Sequence, residues 1–319
     1  MDNSYERIGQ CMKDLVYQWF EAEPLARHAI LFVEDKLRET NIFGELTVFH
    51  YHMFNGRSGQ IYQAAAAVEL FLLASDMLDD LQDGDAPSKP WMQVPQPIAI
   101  HVAASIVTLS QQALMDSVMN RSDSEALARM MNRQLLQAAN GQMLDLMNEI
   151  HTEEAYLDMV RMKSASIFVF ACMTGVMVAG HPWHDTVAEY AVELGISAQI
   201  KNDVRDMLKW DEKNDFLQRK RNLLLLYMME ERSEEHGWIA DYLEERLTVT
   251  DVSHRKEMFL QACEQSGAIL YGSVIGRKHY NRCLELVGTF PQGKAWQERL
   301  SLLLSGYSIN SQTTQNAFR

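Results

Sequence analysis

Ala64-Ala65-Ala66-Ala67-Val68-Glu69-Leu70-Phe71-Leu72-Leu73-Ala74-Ser75-Asp76-Met77-Leu78-Asp79-Asp80-Leu81-Gln82-Asp83 is the stretch that decides the fold. From Ala64 to Leu78 it is apolar nearly all round, the pattern of a helix at the centre of a bundle rather than at its surface. Three aspartates follow at its C-terminal end. Asp79 and Asp83 are four apart and so project from one helix face, one turn from each other. Carboxylates so placed repel each other and crowd the negative end of the helix dipole, which costs stability unless a cation compensates. Hard oxygen donors in such a pair suit Mg²⁺. By itself the string reads equally well as a solvated acidic helix end that runs on into Asp85.

Outward from this helix the same architecture continues. The spans from Ile98 to His181 and from Trp183 to Phe290 contain no proline, and the composition is rich in Leu, Met, Ala, Glu and Gln, all good helix formers. No segment alternates apolar and polar residues as a strand would. The patterning predicts about ten helices, the best of them Ser58–Leu81, Ile98–Met119, Ser124–Ile150, Glu153–Val178, Asp185–Leu208 and Val252–Val287. The proline-, glycine- and charge-rich segment Asp83–Pro97 reads as a loop. The expectation is an all-α, single-domain helical bundle over 1–305, with a disordered polar tail over 306–319.

Bulk properties narrow the function. The 319 residues carry a formal net charge of −14, so a nucleic-acid partner is not expected. An acidic protein that handles a phosphate must bridge like charges with metal ions and local cations. Cys11, Cys172, Cys263 and Cys283 are scattered and fit reduced thiols in a cytoplasmic protein. The polar N-terminus is unlike a signal peptide. The longest apolar run, Ile167 to Gly180, falls short of the roughly 18–20 residues that span a bilayer. No transmembrane segment is therefore expected, although peripheral contact with a membrane stays open. His50, His52, His181 and His184 lack a third ligand at zinc spacing.

A second acidic constellation lies roughly 120 residues on. Gln199-Ile200-Lys201-Asn202-Asp203-Val204-Arg205-Asp206 places Gln199, Asp203 and Asp206 at i, i+4 and i+7, and Asn202 and Asp206 four apart. It too falls late in a long helix. Two such clusters could face each other across a bundle core, and the pair is far more specific than either member.

The order of motifs resembles the trans-isoprenyl diphosphate synthase family, over about Gly56 to Leu226. Ala67-Val68-Glu69-Leu70 with Asp79-Asp80-Leu81-Gln82-Asp83 is similar to the family's first aspartate-rich helix. Gly141-Gln142-Met143-Leu144-Asp145-Leu146 matches its GQxxDL helix, and Lys163-Ser164 stands where the family has Lys-Thr. Gln199 through Asp206 matches QxxDDxxD, and Lys220-Arg221-Asn222-Leu223-Leu224 is similar to KxTLP. The resemblance implies Mg²⁺ held by Asp79, Asp80, Asp83, Asn202, Asp203 and Asp206. It implies a diphosphate bound by Arg57, Lys163, Gln199 and Lys220, with Asp79, Asp83 and Lys163 as catalytic residues. The prenyl chain would run past Phe71, Ala74, Ser75 and Gln142. With Ala74 and Ser75 small, Phe71 is the first aromatic upstream, which deepens that pocket by about 5 Å and favours geranyl to geranylgeranyl donors. Phe71 also reads as plain core packing. A homodimer is implied as well.

The departures from the family pattern are informative. The family joins an allylic diphosphate to isopentenyl diphosphate and needs a second anion site. Here its cationic segment becomes Asn55-Gly56-Arg57-Ser58-Gly59-Gln60-Ile61, its histidine becomes Leu72, and its Arg-Arg pair becomes Ser88-Lys89. Charge-assisted contacts contribute about 1.5–3 kcal/mol each, so such a loss degrades the second site while the first survives. That asymmetry fits a branch of the family which moves a geranyl or farnesyl group onto a tryptophan of a pheromone precursor peptide in quorum sensing and competence. The alternative is a short-chain prenyl diphosphate synthase. A catalytically silent partner subunit fits less well, because such subunits lose the first aspartate motif. Asn202 replaces an aspartate of the second motif; its amide oxygen can still bind Mg²⁺, and terpene cyclases use asparagine similarly, although the rest of their motif is missing here.

Overall fold

A computed structural model of the protein describes residues 4–39, 42–84, 86–210, 214–230 and 236–310, the last five by backbone alone. Among the described residues the regular structure is entirely helical, as expected. The helices are α1 (Ser4–Trp19), α2 (Glu23–Lys36), α3 (Ile42–Met53), α4 (Ile61–Asp83), α5 (Gln96–Met115), α6 (Arg121–Met147), α7 (Glu153–Val160) and α8 (Ser166–Val178). They continue as α9 (Asp185–Leu208), α10 (Leu223–Glu230), α11 (Gly237–Leu243), α12 (Val249–Val252), α13 (Lys256–Gln265), α14 (Ala268–Gly288) and α15 (Gly293–Asn310).

The chain divides into two compact units. One comprises 1–134, 169–188 and 286–319; the other comprises 135–168 and 189–285. The four points where the chain passes from one unit to the other fall inside α6, α8, α9 and α14.

In the first unit α4 is the central element. From Ile61 to Ala74 only Gln63 escapes burial, and the helix packs against α1, α3 and α5. Burial of most of its circumference explains why its sequence shows no polar face. It ends at Asp83, where Gly84 takes a left-handed conformation (φ 68°) and its N–H donates to the Asp80 carbonyl at 2.8 Å. That termination leaves the aspartates on the last turn. In the second unit the core gathers Tyr156, Ile196, Ile200, Phe216, Leu224, Tyr242 and Phe259, with the Phe216 and Phe259 rings stacked at 4.4 Å.

Three expectations change. The long helix expected over Val252–Val287 is interrupted between Val252 and Lys256 and again at Ser266 and Gly267, where the glycine has φ 75°. The helix expected over Glu153–Val178 is continuous but contains a π-helical turn at Arg161–Ala165. The tail expected to be disordered from residue 306 is helical as far as Asn310, and its remainder lies outside the described residues. Helices 61–83, 96–115 and 153–178 are also long and apolar enough to cross a membrane, by length and composition alone. They are not unbroken apolar runs, because a helix of this kind tolerates one or two interspersed charges. In the first and third of these, 78% of the apolar window is already buried inside the protein. All four cysteines are free thiols.

Candidate active site

The first acidic motif separates into two kinds of carboxylate. Asp80 is buried and accepts a hydrogen bond from the indole N–H of Trp91 at 2.9 Å. Trp91 is 1% exposed and sits edge-on to Phe32, so Asp80 anchors the segment after α4 to the core. Asp79 and Asp83, on either side of it, are half-buried. One turn before them Ala74 is buried and Ser75 half-buried, and the Ser75 hydroxyl donates to the Phe71 carbonyl at 3.0 Å. Phe71 packs edge-on against Phe170 with ring centres 5.6 Å apart.

The same unit shows what became of the second cationic region. Lys89 Nζ lies 3.0 Å from Asp35 and 2.6 Å from Glu39. Glu39 also approaches Lys36, which pairs with Asp76 at 2.7 Å. Burial alone would lower the Lys36 pKa, but Asp76, Glu69 and Glu39 outweigh it and hold the ammonium charged. Arg57 is exposed on the turn before α4, and Leu72 is buried. Glu69, fully buried, accepts from the Gly44 N–H at 2.6 Å and is pushed up to about 7 by burial. His50 is buried with Nδ1 2.6 Å from the Leu46 carbonyl, and burial lowers it to about 4, so the ring is neutral.

The second unit assembles the remaining motif residues. Asp203 is buried between two donors: the Tyr156 hydroxyl bonds one oxygen, and Gln199 Nε2 the other at 2.8 Å. Gln199 in turn accepts from Ser164 Oγ at 2.7 Å, so both ends of its amide are engaged inside the protein. Asp203 is raised to about 8 by burial and by the charges of Asp215 and Asp206, against the hydrogen bonds that favour its ionised form. Asp215 is raised to about 6, first by burial and then by Asp206 and Asp145, with Asn222 and Lys220 opposing. Asn202 and Asp206 are half-buried on either side of Asp203, and Asp206 meets Arg205 at 3.1 Å and Lys209 at 3.6 Å.

Lys163 lies in the π-helical turn and pairs with Asp145 of α6 at 2.6 Å. A π turn inserts one residue into the helix and redirects the side chains it carries, and such turns are frequent at functional sites. The turn can approach α6 because residue 141 is glycine: a Cβ there would stand 2.2 Å from the Lys163 nitrogen. Gln142 is half-buried on the same helix, and Lys220 is half-buried in the loop before α10. Asp145, Tyr156, Ser164 and Asp215 were given no role by sequence reasoning. Asp145 had a signal, as the acid of the Gly141–Leu146 motif; Tyr156 had none.

Among the described residues, no group of three or more His, Cys, Asp or Glu side chains could hold a metal by itself. The half-buried oxygen donors come in pairs, Asp79 with Asp83 and Asn202 with Asp206. Such pairs fit Mg²⁺, which usually keeps waters and combines one or two carboxylates with substrate phosphate oxygens. Asp203 and Asp215 are raised first by burial, and the neighbouring carboxylates add to the shift. Asp80 and Asp203, by contrast, are committed to buried donors.

Comparison with known proteins gives the family. Residues 41–259 match the polyprenyl synthetase family model. The chain is 29% identical over 218 residues to the tryptophan prenyltransferase ComQ of Bacillus spizizenii, covering 68% of this chain and 76% of that protein. It is 26% identical over 305 residues to ComQ of Bacillus subtilis strain 168, covering 93% and 97%. The fold is similar to that of a polyprenyl synthase from Caulobacter crescentus CB15, solved with calcium and isoprenyl diphosphate. There the TM-score is 0.76 at 18% identity, with 95% of this chain and 93% of that one covered. The chain belongs to the polyprenyl synthetase family and is a prenyl-transferring enzyme.

Proposed function

We propose that the enzyme transfers a geranyl or farnesyl group from its diphosphate to a tryptophan of a precursor peptide of quorum sensing, with Mg²⁺ as cofactor. The observation that carries the choice of acceptor is Lys89. Of the cations that would serve a second diphosphate, it is the one that remains after α4, and Asp35 and Glu39 hold it in ion pairs. Held by two carboxylates at once, Lys89 is poorly placed to attract another anion. Similarity to two tryptophan prenyltransferases points the same way.

In this reading Asp79 and Asp83, and likewise Asn202 and Asp206, are the residues that would hold Mg²⁺. Bound there, the ion supplies Lewis-acid stabilisation of the charge that develops on the leaving group. Lys163 and Lys220 bind diphosphate oxygens and add to that stabilisation. Gln199, expected to bind the diphosphate, instead orients Ser164 and Asp203. Phe71, Ala74, Ser75 and Gln142 line the path of the prenyl chain and exclude water from the allylic carbon. The bond from that carbon to the diphosphate oxygen breaks with its electron pair leaving on oxygen. The electron-rich indole forms the new carbon–carbon bond, and the proton lost passes to the released diphosphate. We place the enzyme in the cytoplasm as a homodimer, with membrane contact at most peripheral.

The test offers the enzyme Mg²⁺, farnesyl or geranyl diphosphate, and either a tryptophan-containing precursor peptide or isopentenyl diphosphate. A peptide mass gain of one prenyl group is expected, and it disappears when phenylalanine replaces the tryptophan. A longer prenyl diphosphate with an unmodified peptide would establish the synthase alternative instead.

A further inference from the structure

Asn148 stands one residue past the end of α6 with φ 52°, a left-handed conformation that asparagine adopts more readily than most residues. Its side-chain amide is used twice. Nδ2 donates to the Arg219 carbonyl at 2.7 Å, and Oδ1 accepts from the Arg221 N–H at 3.1 Å. The residue between these contacts is Lys220, so one amide grips the backbone on both sides of that lysine.

The rest of the loop is tied as well. The Lys220 N–H donates to the Asp215 carbonyl at 2.9 Å. Asn222 donates to the Asp215 carboxylate at 2.8 Å and accepts from the Leu225 N–H at 3.0 Å. The Arg219 guanidinium reaches the carbonyls of Tyr242 and Leu247 at 3.0 and 2.7 Å. A loop of no regular structure is therefore held at every residue from 219 to 222.

Gly141 and Asp145 lie one turn apart on one side of α6, and Asn148 follows its last residue. Gly141 admits the backbone of Lys163, Asp145 pairs with its ammonium group, and Asn148 grips the Lys220 loop. The end of one helix thus addresses both lysines. We propose that Asn148 is a positioning residue: its amide sets the Lys220 backbone against α6 and so fixes the spacing of Lys220 from Lys163 on the donor diphosphate. The proposal rests on the reading of these lysines given above. A neutral amide suits the task, since a carboxylate at this place would compete with phosphate for the lysine.

Asn148→Gly tests it, because glycine keeps the left-handed backbone accessible while the amide is deleted. Binding of inorganic pyrophosphate with Mg²⁺, followed by calorimetry, is expected to weaken about tenfold, roughly the worth of one or two hydrogen bonds. The KM for the prenyl diphosphate should rise by a similar factor with kcat little changed. Amide hydrogen exchange should quicken over 215–222. In the Lys220→Ala background Asn148→Gly should add nothing further, whereas with Lys163→Ala the two losses should multiply. Unaltered pyrophosphate binding in Asn148→Gly, or losses that multiply with Lys220→Ala, overturns the proposal. If Lys220→Ala itself binds pyrophosphate normally, the diphosphate role of Lys220 fails and the proposal falls with it. A weak Lys220→Ala beside a normal Asn148→Gly sinks the clamp alone. Should Asn148→Gly not fold, Asn148→Asp keeps the acceptor for Arg221 and loses the donor to Arg219. A partial loss that vanishes in Lys220→Ala supports the clamp, and one that multiplies overturns it.

Discussion

The ends of α4 and α9 carry the two acidic motifs, and they share a plan with one difference. In each, a buried aspartate is taken by neighbouring donors, and the residues one before and three after it stay half-buried. Asp80 is anchored by the Trp91 indole, with Asp79 and Asp83 beside it; Asp203 is anchored by Tyr156 and Gln199, with Asn202 and Asp206 beside it. The difference lies in what the anchor joins. Asp80 fixes only the segment that follows its own helix. Asp203 belongs to a hydrogen-bonded chain from α7 to the π-helical turn that bears Lys163. A string of like residues therefore hides two tasks, and the anchoring task at α9 reaches a second functional residue.

The largest test of this division is at the flanking positions. Asp79→Asn, Asp83→Asn and Asp206→Asn are each expected to lower kcat/KM by at least about 10³-fold, in keeping with the loss of a charge from a metal site. Wild-type activity in all three under saturating Mg²⁺ would break the comparison at its centre.

The third buried carboxylate, Glu69, stands further back on α4 and should show itself as a pH effect on stability. Its pKa is about 7 folded against 4.5 for the free side chain, so the folded state holds a proton that the unfolded chain releases earlier. Stability from this group is full below about 4.5 and falls as pH rises to about 7, by on the order of 3 kcal/mol. Glu69→Gln should flatten that slope in thermal melts between pH 4.5 and 7, and an unchanged slope would assign it elsewhere.

The lysines come next. Lys163→Ala and Lys220→Ala should each weaken donor binding roughly 10- to 100-fold, the range of one or two charge-assisted hydrogen bonds. Lys89→Ala, which removes a partner of Asp35 and Glu39, should leave donor kinetics within about threefold and lower the melting temperature by a few degrees. Equal effects on the KM of the donor diphosphate at all three lysines would erase the distinction between Lys89 and the two lysines read as diphosphate ligands.

The smallest effect is expected at the anchor of α4. Asp80→Ala leaves the buried Trp91 N–H without an acceptor and should cost about 1–3 kcal/mol in denaturant unfolding, with kcat/KM within a few-fold of wild type. A loss as deep as that of Asp79→Asn would show that Asp80 is a ligand after all.

Much of this molecule is legible in its sequence. The α9 boundaries, Asp185 to Leu208, follow from periodicity, and α4 ends two residues past the expected Leu81, because helix period and helix termination are local properties. The five motifs likewise mark where Asp79, Lys163, Asp206 and Lys220 stand along the chain. The family and the prenyl-transferring chemistry follow from those residues in that order. Other features were not legible. Nothing local distinguishes Asp80 from Asp79 or Asp203 from Asp206, since the distinction depends on Trp91 and Tyr156 arriving from elsewhere in the chain. The fate of Lys89 depends on Asp35 and Glu39, some 50 residues away. Asn148 falls inside the helix expected over Ser124–Ile150, whereas α6 ends at Met147. Spacing along a helix determines which residues share a face, but hydrogen bonds and ion pairs between distant segments decide which are used up in holding the fold. Only the tertiary structure separated Asp80 and Asp203, the carboxylates that anchor the two motifs, from the half-buried carboxylates beside them.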